Sequence, residues 1–165
     1  VVKVTGSSNR RVSLAALIAI KPGHRPRLIY RVHRRRRRRS DLRKGFTETD
    51  YARLLDAAHQ QLGGPLVVVW DNLTTHVTDA MAALIAARDW LTVYRLPLYA
   101  HELNPVEPVW SHLKRSLANL AKRNLAQLTA LIKTRLRHMQ YRPGLLDGFL
   151  AGTGLDLTPF CNPRN

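Results

Sequence analysis

The sequence predicts an α/β fold, a mixed sheet flanked by helices, on three observations. Two β-rich segments near the start, "VVKVT" and "RRVSLAALIAI", flank the turn-forming tetrapeptide Gly6-Ser7-Ser8-Asn9 and read as an antiparallel hairpin. The unbroken apolar run Leu66 to Trp70 is short enough for a strand and reads as one covered on both faces, as in a parallel sheet. Between and beyond these lie stretches with apolar residues at helical spacing, so the order after the third strand is helix, strand, helix, strand, helix. At 165 residues the chain is long enough for one well-packed domain.

The elements follow in order. After Lys21-Pro22-Gly23 and Pro26, "LIYRV" is expected to be the third strand, and the arginine run that follows is expected to loop as far as Phe46. Thr47-Glu48-Thr49-Asp50 resembles a capping box, with Thr47 capping the helix and Asp50 reaching back. Tyr51, Leu54, Leu55, Ala58 and Leu62 then form one apolar stripe, and Gly63-Gly64-Pro65 stops the helix. Thr78-Asp79 starts a second helix whose inner face is expected to carry Ala80, Ala83, Leu84 and Ala87. "LTVYRL" is the next strand, ended by Pro97. Asn104 as cap and Pro105 as first helical residue open a third helix, with Val106, Val109, Trp110, Leu113, Leu117 and Leu120 along its apolar side. A fourth helix is expected from Asn124 to about Tyr141, turning Leu125, Leu128, Ile132 and Met139 inward. The residues after Pro143 read as a glycine-rich tail.

Charge is the unusual feature. There are 27 Lys and Arg against 11 Asp and Glu, a net +16. Two segments carry the whole excess: Arg31 to Phe46, with nine cations and one acid, and the stretch between Glu107 and Asp147, with eight cations and no acid. A field of that sign points to a polyanion, and the expected partner is a nucleic acid. The expected phosphate contacts are Arg34, Arg35, Arg36, Arg37, Arg38, Arg39, Arg43 and Lys44 in the first segment, and Lys114, Arg115, Lys122 and Arg123 in the second. No run approaches the ~20 apolar residues of a membrane-spanning helix, so no membrane partner is expected. A single cysteine, Cys161, excludes an internal disulfide and a cysteine-rich zinc site, and suits a reducing compartment. His101, Glu102 and His112 offer no spacing that fixes a zinc site.

In such a sheet, ligands bind at the carboxyl ends of the parallel strands. Asp71 stands at one such end, in "LVVVWDNLTTH", and Glu107 follows the next strand after a loop, with 35 residues between the two. If the strands are neighbours, both carboxylates meet at one edge of the sheet. Paired carboxylates suit hard divalent cations, and two such ions can drive phosphodiester chemistry. Each acid also has a structural reading: Asp71-Asn72 is a common turn pair, and Glu107 occupies a capping-box position three residues after Asn104.

"VVVWDNLTTH" and "LPLYAHELNPVEPVWSHLK" together resemble the second and third acidic motifs of the DDE superfamily endonucleases, the mariner-superfamily insertion-sequence transposases. The matching positions are Asp71, Asn72, His76, Leu96, Pro97, Tyr99, Leu103, Asn104, Pro105, Glu107 and Trp110. The resemblance implies a ribonuclease H-like fold over residues 1–142, with 143–165 as a C-terminal tail, and an enzyme that cleaves DNA strands and joins them using Mg²⁺ or Mn²⁺. It makes Asp71 and Glu107 catalytic metal ligands, with Asn72, His76 and Asn104 supporting the site. It also implies transposon ends and target DNA as partners, a homodimeric parent enzyme and a cytoplasmic, nucleoid-associated location in a bacterium. The family's first catalytic aspartate lies on an opening strand, upstream of the hairpin at Val1. None of Asp41, Glu48, Asp50 or Asp56 sits on an apolar strand, so that strand is expected to be missing. The family's helix-turn-helix region is not seen either, and His101 stands where the family often has proline. A truncated transposase, inactive as this chain alone, is therefore expected. The alternatives are a non-catalytic basic DNA-binding remnant and an unrelated ribonuclease H-like nuclease.

Overall fold

A computed structural model describes residues 2–5, 11–34, 45–98, 100–118 and 125–154. Strands β1 (Val2–Thr5), β2 (Arg11–Ala19) and β3 (Arg27–Arg34) form an antiparallel sheet in the order β1-β2-β3, with Val2 opposite Leu14 and Ala19 opposite Arg27. β4 (Leu66–Trp70) and β5 (Leu91–Arg95) pair in parallel, Leu66 opposite Leu91 and Trp70 opposite Arg95. The antiparallel and parallel strands expected of a mixed sheet are both present, hydrogen-bonded as two sets. The arginine run lies outside the described residues from Arg35 to Lys44, while Arg34 ends β3.

Helix α1 (Glu48–Leu62) begins at the capping box: the Asp50 amide donates to Thr47 Oγ1, and the Thr47 amide donates to Asp50 Oδ2 at 3.0 Å. Gly63 ends it at φ 65°, a left-handed conformation that favours glycine. Two cations from the β2–β3 region reach its last carbonyls, Lys21 Nζ to Leu62 and Arg27 to Gln61, where the negative end of the helix dipole favours positive charge. Helix α2 (Asp79–Ala86) is capped by Thr78, whose hydroxyl accepts from the Met81 amide. Its inward face differs from the sequence expectation: Met81 is fully buried and Leu84 and Ile85 are half-buried, whereas Ala80, Ala83 and Ala87 are exposed. Methyl groups bury little area, so the helix turns its larger side chains to the core.

Helices α3 (Val106–Leu117), α4 (Leu125–Gln140) and α5 (Pro143–Ala151) cover the other side. The segment after Pro143, expected as a tail, thus contains a helix, and its Leu146 is fully buried. β2 separates two cores. Val12 and Leu14 pack with Leu28 of β3, Trp110 and Leu113 of α3, Ile132 and Leu136 of α4 and Leu146 of α5. Ala15 and Ala19 face the other way, onto Leu54, Leu55 and Ala58 of α1, Met81 of α2 and Trp70 of β4. Successive strand residues point to opposite faces, and the run Leu14 to Ile20 is apolar throughout because both faces of β2 are covered.

β4 does not share that environment. Leu66 and Trp70 are buried, but Val67 and Val69 are 69% and 59% exposed, so the expected cover on both faces is corrected to cover on one. Among the described residues, no helix is long and apolar enough to cross a membrane.

Candidate active site

Because β4 and β5 run parallel, their carboxyl ends lie side by side, and two hydrogen bonds lock them. The Leu96 amide donates to Trp70 O at 2.9 Å, and Asn72 Nδ2 donates to Leu96 O at 2.7 Å. Asp71 stands between these bonds at the end of β4. Between Leu96 and α3 lies a 3-10 turn, His101–Leu103. Asn104 Oδ1 accepts from the Val106 amide at 3.1 Å and Asn104 O from the Glu107 amide at 3.0 Å, so Asn104 caps α3 as expected and sets Glu107 in its first turn.

Asp71 and Glu107 line one open cavity of about 780 Å³, together with His76, Leu96 and Asn104. The neighbour expectation holds: parallel pairing of β4 with β5 brings both acids to the same recess.

Around Asp71 the chemistry is specific. His76 Nδ1 lies 2.9 Å from Asp71 Oδ1 and 3.1 Å from its backbone oxygen, and the Leu73 amide donates to Oδ1 at 3.3 Å. The hydrogen bond from His76 holds the Asp71 carboxyl below the usual carboxylate range; burial opposes it, and the Leu73 amide adds to it. The His76 ring is stacked on Trp70 (centroids 4.3 Å apart, planes 11° apart) and meets the Tyr51 ring edge-on at 4.6 Å. With both oxygen contacts made through Nδ1, the ring's orientation is set by Asp71 and the two aromatics. Burial pushes the Tyr51 phenol far above its ordinary range, and the negative charges of Asp71 and Asp50 add to the effect.

Asp71 and Glu107 are hard oxygen donors of the kind Mg²⁺ and Mn²⁺ take, and a histidine bound to the back of a carboxylate is the sort of outer contact that orients a ligand. Among the described residues no group of three or more His, Cys, Asp or Glu is arranged to hold a metal ion, so the fit rests on these two carboxylates. Of the cations expected to touch DNA, Lys114 and Arg115 are exposed in the last turns of α3. The side chain of Arg34 and the residues Arg35, Arg36, Arg37, Arg38, Arg39, Arg43, Lys44, Lys122 and Arg123 lie outside what the structure describes. Tyr51 and Trp70 join the site although their spacing marks them only as core. The one hint in the sequence is that Trp70 directly precedes Asp71.

A family model for DDE superfamily endonucleases matches residues 6–132. Among solved structures, the chain is similar to the Mos1 transposase catalytic domain determined with raltegravir and Mg, at a TM-score of 0.59 and 12% identity over 93% of this chain and 81% of that one. It is also similar to the Mos1 transposase paired-end complex with the left transposon end, at a TM-score of 0.57 and 12% identity over 92% of this chain and 46% of that one. At that identity the likeness is one of fold, the ribonuclease H-like α/β arrangement. No curated protein sequence matches the chain. With Asp71, Glu107 and the strands that carry them all inside the matched span, the chain belongs to the DDE superfamily endonucleases.

Proposed function

We propose that the chain is the catalytic domain of a transposase, serving metal-dependent cleavage of DNA strands and their transfer to a target. The observation that carries the reading is the convergence of Asp71 and Glu107 on one cavity at the carboxyl ends of parallel strands. Asp71 and Glu107 would hold the Mg²⁺ or Mn²⁺; bound there, the metal supplies an activated oxygen nucleophile and stabilises the leaving oxygen. The chain's own residues prepare the place. His76 turns the Asp71 carboxylate and keeps it ionised, Asn72 fixes the two strand ends, and Asn104 sets the turn that presents Glu107. Lys114 and Arg115 stand on the same helix as Glu107, where they can meet the phosphates of a bound strand. The DNA partners would be transposon ends and target duplex, engaged by a homodimeric parent enzyme associated with a bacterial nucleoid in the cytoplasm.

Two carboxylates are fewer than two-metal chemistry generally uses. On its own, therefore, the chain is expected to bind DNA without sequence preference and not to cut it. Nicking of a supercoiled plasmid in Mg²⁺ or Mn²⁺ and DNA affinity as a function of salt test both halves. With roughly six to eight phosphate contacts, log affinity falls with log salt at a slope of about −5 to −7. Affinity indifferent to salt sinks the electrostatic half. Robust Mg²⁺-dependent nicking that Asp71→Asn abolishes shows that the two carboxylates suffice and overturns the inactivity. Cleavage confined to RNA–DNA hybrids replaces the transposase reading with an unrelated nuclease.

A further inference from the structure

We infer that the groove along the outer edge of β3 is a second nucleic-acid site, which holds one unpaired DNA strand by its phosphates and stacks a base on Tyr141. That the strand is DNA rests on the transposase reading above. β3 pairs with β2 along one edge and, among the described residues, with no strand along the other. A groove of about 500 Å³ follows that outer edge and touches every residue from Ile29 to His33. Gln61 of α1 stands on one bank, Lys133 and Gln140 of α4 on the other. Two side-chain bonds fix α4 against the strand: Gln140 Nε2 donates to Leu28 O at 2.7 Å, and the Tyr30 hydroxyl donates to Lys133 O at 3.5 Å.

The banks are basic. Arg31, His33 and Lys133 line the groove and are exposed. Arg137, also exposed, stands one turn beyond Lys133, close enough to Tyr30 that its charge opposes the rise burial imposes on that phenol. Helix α4 contains no acid at all. The two nearest carboxylates of α1 are engaged: Asp50 accepts from the Thr47 amide and hydroxyl, and Asp56 from Arg88 at 2.7 and 3.0 Å. Among the described residues, Arg31, Lys133 and Arg137 have no ion-pair partner. Lys133 and Arg137 are like charges four residues apart on one helix, a spacing that repels until an anion lies between them.

The form of the anion follows from what stands beside the charges. Tyr141 is 73% exposed, and the Arg137 guanidinium lies 5.9 Å from its ring centroid. An aromatic face next to a cation, at the end of a basic groove, is the combination that binds single strands: phosphates along the groove and a base on the ring. A duplex keeps its base faces stacked inside and offers none to Tyr141. An acidic peptide added as a strand fits less well, because charged side chains on an edge strand hinder pairing and Gln140 already occupies the Leu28 carbonyl.

The groove also leads somewhere. The arginine-rich segment leaves the described structure after Arg34 and rejoins it at Gly45, next to His33 and Phe46, whose rings are 5.9 Å apart. From Phe46 it is 5.6 Å to the Tyr51 ring, and from there 4.6 Å to His76 beside Asp71. The His33 end of the groove therefore faces the end of the molecule that carries the catalytic carboxylates, and a strand lying in it is guided toward them.

The test uses the whole chain and a fluorescein-labelled oligothymidylate of about twelve nucleotides, with the same strand in duplex form for comparison. Anisotropy titrations across a salt series are run on the parent chain, on Tyr141→Ala and on a triple variant with Arg31→Gln, Lys133→Gln and Arg137→Gln. The triple variant is expected to lose at least tenfold in single-strand affinity but at most threefold in duplex affinity. Its single-strand salt slope should be shallower by about 2, at ~0.7 per phosphate contact. Tyr141→Ala should lose at least fivefold for the single strand only. A strand carrying 5-iodouracil, irradiated on the parent chain, should cross-link to Tyr141, a readout that needs no variant to fold. Cross-links found only elsewhere, a triple variant that binds like the parent, equal losses for strand and duplex, or displacement of the strand by a poly-glutamate peptide at matched charge would overturn the inference. Plasmid nicking and the duplex affinity of Lys114 and Arg115 variants report on the transposase reading, so the two can fail separately.

Discussion

Replacing Asn72 tests how Asp71 is held. Its amide nitrogen donates to Leu96 O at 2.7 Å, a side-chain bond that ties the end of β4 to the end of β5. A carbonyl only accepts, so the nitrogen must face it. Asn72→Ala leaves that carbonyl without its donor. Orphaning a fully buried acceptor costs about 1–3 kcal/mol, but Asn72 and Leu96 are half-buried and water can reach them, so the cost falls near 1 kcal/mol. For a chain of this size that lowers Tm by roughly 2–4 °C. Asn72→Asp is the sharper arm. It keeps the shape but turns a negative oxygen toward the Leu96 carbonyl, so it must destabilise more than alanine does. Urea and thermal melts of the two variants at neutral pH measure both values, with an unchanged denaturant slope certifying that the same folded state is compared. An Asn72→Asp protein as stable as the parent chain, or more stable than Asn72→Ala, refutes the account of how the strand ends are fixed.

Trp110, fully enclosed between β2 and helices α3 to α5, is expected to cost about 3–5 kcal/mol on replacement by alanine, read as a loss of urea midpoint. The depressed Asp71 carboxyl stabilises the fold above the ordinary carboxylate pKa, and that contribution disappears as pH falls through its lower folded value. Stability measured from about pH 5 downward should therefore decline less steeply in Asp71→Asn than in the unaltered chain, and an identical decline refutes the depression of the Asp71 carboxyl. Lys114→Gln and Arg115→Gln should each make the salt slope of DNA binding shallower by about 1, whatever the DNA sequence. A loss that depended on sequence would assign those side chains to base contacts instead.

Two apolar runs show where sequence reading stops. Leu14 to Ile20 and Leu66 to Trp70 look alike, yet β2 is covered on both faces and β4 on one. Hydrophobicity records that a strand can be buried, while the cover on its second face comes from residues distant in the chain. The caps were legible because they are local: Thr47 with Asp50, Thr78 with Met81 and Asn104 with Val106 all form within three residues. The rotation of α2 was not, since its alanines and Met81 differ in size rather than polarity and only the surface beneath decides. At the site, the convergence of Asp71 and Glu107 was readable from strand order, because parallel neighbours put their carboxyl ends together, whereas a ligand role for either rested on the resemblance. The sandwich of His76 between Trp70 and Tyr51 was not, because Tyr51 comes from α1, twenty-five residues upstream of His76.

The bare side of β4 bears on how the protein behaves in a tube. Val67, Val69 and, on β5, Tyr94 expose apolar surface next to an edge that has no partner strand among the described residues, the arrangement from which chains stack into aggregates. At low ionic strength a net charge of +16 keeps copies apart. Salt strong enough to strip nucleic acid from the protein also shortens the screening length to a few ångströms, on the order of 3 Å at 1 M. The same step that cleans the protein thus lowers the barrier to its precipitation, and solubility is expected to fall as salt rises into that range.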